Sequence, residues 1–108
     1  MACSAATPRL TEEEIASRLL RLSGWSRGDN WIEKKYQFKN FLRAMSFVNA
    51  VAYVAESAGH HPDITIRYGE VTLRNWTHVV GGITEYDFAL AEKIDALVET
   101  ENCSWFGL

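Results

Sequence analysis

The stretch 63–78 limits the possible folds most. Two runs of alternating residues, Asp63-Ile64-Thr65-Ile66-Arg67-Tyr68 and Val71-Thr72-Leu73-Arg74-Asn75-Trp76-Thr77-His78, are separated only by Gly69-Glu70. β-Branched and aromatic residues with period two, broken by a two-residue loop, make an antiparallel hairpin. A hairpin alone is marginal in water, so the chain must supply further strands and a layer to cover one face. Gly69 at the first central position fits a type II′ turn, which pairs Tyr68 with Val71, Ile66 with Leu73 and Ile64 with Asn75. On the opposite face the same register pairs Thr65 with Arg74, Arg67 with Thr72 and Asp63 with Trp76. One step further it sets His61 against His78, with Cβ atoms about 4.5–5.5 Å apart.

The remaining segments supply the cover. Thr11-Glu12-Glu13-Glu14 has the form of a capping box, and Ile15, Leu19 and Leu22 give an apolar stripe that predicts a helix over 11–22, stopped by Ser23-Gly24. Trp25 opens a short extended piece that reverses at Arg27-Gly28-Asp29-Asn30 into a strand over 31–38. From Asn40, the spacing of Phe41, Leu42, Met45, Val48, Val51, Ala52 and Ala55 predicts the longest helix, over 40–57, capped by Gly59. Phe47, Tyr53 and Val54 widen its stripe beyond one face, which implies a second burial against another subunit. Thr84-Glu85-Tyr86-Asp87 starts a last helix over 84–99, with Asp87 as a candidate capping residue. Trp105 and Phe106 in the tail either fold back or form a contact surface. The order helix, two strands, helix, two strands, helix predicts an α+β fold: a four-stranded antiparallel sheet with three helices packed on one face. With 108 residues the chain reads as a single domain over 1–108, with 1–9 and 101–108 as terminal extensions.

Composition narrows the function. A formal net charge of −3 and a pI near 5.6 provide no basic field, which argues against direct attachment to nucleic acid or anionic membrane. Cys3 and Cys103 have no metal-type spacing and read as free thiols. No window approaches the roughly eighteen apolar residues of a membrane span, and no signal-peptide core precedes the first helix, so the expected compartment is cytoplasmic.

The three histidines all fall in Gly59-His60-His61-Pro62-Asp63 and Thr77-His78. Taken singly, each reads first as an incidental polar loop or strand-end residue. Gathered by the hairpin, they form a cluster in which one imidazole can act as acid and another as base near neutral pH, which is what adding or removing water at a polarised carbon requires. Glu56, one helical turn before His60, can orient a ring or receive an N–H from a ligand. Three imidazoles and a water would also make a catalytic zinc shell, but the adjacent His60 and His61 point to opposite sides of an extended chain, which disfavours joint ligation. No metal is expected.

Glu56-Ser57-Ala58-Gly59-His60-His61-Pro62-Asp63, then Thr77-His78, Gly82-Ile83-Thr84 and Asp87, resembles the pterin-4a-carbinolamine dehydratase family. The resemblance runs from Gly24-Trp25 through Phe38-Lys39-Asn40-Phe41 and Arg43-Ala44 to Ala91 and Ile94. It implies dehydration of 4a-hydroxytetrahydropterin to quinonoid dihydropterin, without a cofactor, by His60, His61 and His78. It further implies substrate contacts from Glu56, Gly59 through His61, and Trp76 through Val79, with Asp87 as a possible supporting residue. Val79 stands where many members carry an acidic residue and Trp76 where a smaller one is usual, so the rim of the pocket is expected to differ. The implied partners are a reduced pterin and a second copy of the chain, as a homodimer or homotetramer through helix 40–57. Animal members also act as dimerisation cofactors of a transcription factor, which makes a protein-binding module the alternative role.

Overall fold

The computed structural model describes residues 7–99, so Cys3, Cys103, Trp105 and Phe106 lie outside the described residues. In chain order the elements are α1 (Glu12–Leu19), β1 (Ser26–Arg27), β2 (Ile32–Gln37), α2 (Phe41–Ala58), β3 (Asp63–Arg67), β4 (Glu70–Asn75) and α3 (Glu85–Glu99). The strands form one antiparallel sheet in the order β1-β2-β4-β3, and the three helices cover one face of it. Ile32, Tyr36, Val71, Leu73 and Asn75 point inward and are buried against Phe47, Val51, Leu90 and Ile94 of α2 and α3. Outward face Glu33, Lys35, Thr65, Arg67, Thr72 and Arg74, all half-buried or exposed.

The helix starts and the end of α2 follow the sequence signals, whereas α1 ends at Leu19 with Leu20 as its cap, short of the expected stop at Ser23-Gly24. Thr11 and Glu14 close a reciprocal capping box on α1, and Glu12 pairs with Arg27 at 2.7 Å. The Arg27 bond holds Glu12, and the Thr11 N–H bond holds Glu14, below the ordinary carboxylate value of 4.5. These contributions are therefore fully present above that value and are lost as pH falls through the lowered ones. Asn40 caps α2 by accepting from Arg43 N–H, and Gly59 ends it in the left-handed region at φ 68°. The far end of α3 is tied to the sheet through Asp95, which is nearly buried and accepts from Trp25 Nε1 (2.9 Å), Lys34 Nζ (3.0 Å) and Tyr36 Oη (2.6 Å).

The register of the central hairpin differs from the sequence expectation by two residues. Ile66 opposes Val71, Ile64 opposes Leu73 and Asp63 opposes Arg74, so the loop is Tyr68-Gly69 and not Gly69-Glu70. Tyr68 takes the left-handed conformation, at φ 52°. Gly69 serves close approach instead: its carbonyl accepts from Phe38 N–H at 2.7 Å, and a Cβ there would stand 2.7 Å from the Phe38 carbonyl oxygen. The glycine was read for its turn propensity, whereas the neighbouring strand demands it. The β3–β4 ladder also stops at the Asp63–Arg74 pair, so it does not bring His61 opposite His78. A two-residue shift leaves each side chain on its expected face, which is why the expected core survives.

Gly69→Ala should destabilise the protein by about 1–3 kcal/mol in urea unfolding, because the fixed Phe38 backbone cannot make room. Tyr68→Gly, which relieves a left-handed side chain, should leave stability unchanged or higher.

Candidate functional site

Two chain segments meet beyond the open end of the sheet. One is the C-terminus of α2, where His60 N–H reaches back to the Ala55 carbonyl at 3.1 Å and Gly59 N–H to that of Glu56 at 3.2 Å. His60 is thus part of the helix cap and leaves the helix in a fixed direction. The other follows β4. Thr77 N–H donates to the Gly82 carbonyl at 2.8 Å, and the Thr77 carbonyl accepts from Gly81 N–H at 2.9 Å. This tight reversal carries His78 and Val79 at its exposed apex. From outside, Arg9 Nε donates to the Val80 carbonyl at 2.7 Å and Leu10 N–H to that of Ile83 at 2.9 Å.

Between the segments lies a shallow cleft of about 170 Å³ lined by Gly59, His60, His61, Trp76, Thr77, His78 and Val79. Its histidines have different surroundings. His60 is buried, with Nε2 2.5 Å from Asp87 Oδ1. Asp87 is fully buried, and its Oδ2 accepts from the Thr77 hydroxyl at 2.9 Å and Thr84 N–H at 2.8 Å. A carboxylate in this setting accepts, so His60 Nε2 carries the proton and, in the neutral ring, Nδ1 is the acceptor. His61 is exposed and pairs through Nε2 with Glu56 Oε1 at 2.9 Å. His78 packs edge to face on Trp76, with ring centroids 4.1 Å apart. Trp76 is itself anchored by its Nε1–H donating to Asp63 Oδ2 at 2.8 Å.

Every candidate from the sequence is therefore at or beside this cleft. Glu56 stands behind His61, and Thr77 turns its hydroxyl inward, to Asp87 and to Thr84 Oγ1 at 2.7 Å. The sequence offers Asp87 both as a helix cap and as a supporting residue of the site, and its carboxylate bonds to both Thr84 N–H and His60. His60 and His61 diverge because one belongs to the helix cap and the other follows it, not through strand alternation. Sequence reasoning missed Arg9, which lies far along the chain from the reversal it braces, and Asn75, which passed as a strand residue. A larger groove of about 460 Å³ between α1 and α3, lined by residues including Glu13, Arg18, Arg21, Phe88 and Glu92, contains no imidazole. The histidine cleft, though smaller, carries all three imidazoles.

The family described as Pterin 4 alpha carbinolamine dehydratase matches residues 8–97. A Thermomicrobium roseum protein is 54% identical over 89 residues, which are 82% of this chain and 96% of its own length. A Chloroflexus aurantiacus protein is 50% identical over 91 residues, 84% of this chain and 98% of its own. Both carry the name pterin-4-alpha-carbinolamine dehydratase provisionally. Among solved structures, a transcriptional coactivator/pterin dehydratase from Brucella melitensis superposes with a TM-score of 0.79 at 36% identity, over 83% of this chain and 98% of that one. A pterin dehydratase-like protein described as a RuBisCO assembly factor in the alpha-carboxysome shares the fold, with a TM-score of 0.60 at 23% identity over 72% of this chain and 93% of its own.

Asp87→Asn should cost about 1–3 kcal/mol in thermal unfolding, since an amide cannot accept from all three buried donors. It should also displace the His60 ring resonances in NMR spectra.

Proposed function

Because the chain belongs to the pterin-4a-carbinolamine dehydratase family, we propose that it is a hydro-lyase. It removes water from a 4a-hydroxytetrahydropterin and releases quinonoid dihydropterin, as a step in tetrahydrobiopterin recycling. The observation that carries this reading is that His60, His61 and His78 share one cleft while each ring has its own support in Asp87, Glu56 or Trp76. Loss of water from C4a needs a proton delivered to the leaving hydroxyl and a proton taken from N5. Oriented imidazoles meet both needs, and each returns to its starting state by proton exchange with solvent. The exposed His61 and His78 exchange protons directly, while the buried His60 lines the same cleft with its ring held by Asp87. Trp76 and Val79 give the rim an apolar side for a flat bicyclic ring. No step of this reaction calls for a redox group or a metal. Among the described residues no helix is long and apolar enough to cross a membrane.

The assay follows quinonoid dihydropterin formation from synthetic 4a-carbinolamine. His61→Ala and His78→Ala should each lower kcat by about 10²- to 10⁴-fold, the usual share of one general acid or base, while remaining folded. Wild-type turnover should survive a chelator. Near-normal turnover in both variants would overturn the proposal.

A second reading is favoured by the outer face of α2, where Leu42 and Tyr53 are 73% and 76% exposed, opposite the buried stripe Ala44-Phe47-Val51-Ala55. We propose that this face joins copies of the chain into a homodimer or homotetramer, and it is also the surface through which a protein-binding role, like the one for which the Brucella coactivator/pterin dehydratase is named, would operate. Sedimentation should show an oligomer that Leu42→Glu dissociates; a wild-type monomer at micromolar concentration would contradict it.

A further inference from the structure

We propose that Asn75 is a positioning residue for His60, acting through Asp87; this rests on the role just given to His60. Asn75 is the last residue of β4 and points to the helix-covered face, opposite Ile32, with no solvent exposure. Its inward-facing neighbours along the sheet include Ile32, Val71 and Leu73, so packing alone calls for an apolar side chain here. Instead, Asn75 Nδ2 donates to the Asp87 main-chain carbonyl at 3.1 Å, and its Oδ1 is buried without a hydrogen-bond partner among the described residues. The amide orientation follows from chemistry, since turning it over would set two oxygens against each other. A buried acceptor left unpaired is destabilising, and an apolar residue of similar volume would remove that penalty. Stability therefore does not explain the asparagine.

Position does. Asp87 is gripped at two levels: Thr77 and Thr84 fix its carboxylate, and Asn75 fixes the main chain from which that carboxylate projects. Together they determine where Oδ1 stands and hence how the His60 ring is turned toward the cleft. Asn75 does not line the cleft, so its influence on the reaction passes through Asp87 and His60.

The test is Asn75→Leu in the full chain. The variant should melt at the wild-type temperature or higher, shift the His60 ring N–H resonance in proton–nitrogen NMR, and lose kcat by about tenfold with KM unchanged, as expected for a displaced catalytic group. In an Asp87→Asn background the same substitution should cost nothing further, because both act along one line. A His60 resonance at its wild-type position overturns the proposal, and so does an equal loss of turnover in the Asp87→Asn background. If Asn75→Leu fails to fold, Asn75→Ser removes the same amide without overpacking and is read by the same resonance. Wild-type protein lacking dehydratase turnover would overturn the proposed function alone, and the His60 resonance would still decide the positioning role.

Discussion

The Asp87 carboxylate accepts from three donors supplied by three parts of the chain: His60 after α2, Thr77 after β4 and the Thr84 N–H before α3. Its exclusion from water makes each of these bonds electrostatically stronger than on the surface, and the full set of partners is what makes such burial tolerable. The same residue closes the first turn of α3, so the helix cannot shift without disturbing the histidine. Site and scaffold are one hydrogen-bonded unit at this end of the molecule. At the other end Asp95 plays the corresponding part, accepting from Trp25, Lys34 and Tyr36. α3 is thus pinned to the sheet near both termini by carboxylates.

In the proposed reaction the roles at the cleft divide by burial. His60 is locked on the floor by a buried partner, whereas His61 and His78 stand at the mouth, within reach of solvent protons. A general acid–base cycle needs both kinds of group: fixed geometry for the bonds that change, and access to water for restoring protonation states. Trp76 contributes rigidity from the rim, since its indole is tied to Asp63 and limits the space open to the His78 ring. Gly59 matters for the same reason, because its left-handed cap directs His60 away from the helix axis.

Much of this was legible in the residues. The capping signals at Thr11 and Asn40, the apolar stripe of α2 and the alternation of 63–75 determine elements and faces through short-range periodicity, which a single chain displays openly. Asp87 showed itself as a helix-capping residue; its bond to His60 depends on packing α3 across the end of α2 and was invisible. Arg9 and Asn75 escaped for the same reason. Their partners, the Val80 and Asp87 carbonyls, are main-chain atoms that leave no trace in residue identity. The turn failed differently: Gly69 was assigned to a conformational need, but the demand comes from Phe38 on the adjacent strand.

That failure explains why the histidine cluster survived a wrong register. The expected route set His61 against His78 across the ladder, yet the ladder ends before reaching either. A slip of two residues preserves the faces of every strand residue, and with them the burial of Val71 and Leu73 that seats α2 and α3, with Ile64 half-buried beside them. Once those helices are seated, the Gly59 cap delivers His60 and His61 while the Thr77–Gly82 reversal delivers His78, both at the same open end of β3 and β4. The cluster therefore depends on where two elements stop, not on which residues pair between them. Helix caps and chain reversals have local sequence signatures, so the cluster could be anticipated even though the pairing that first suggested it does not occur.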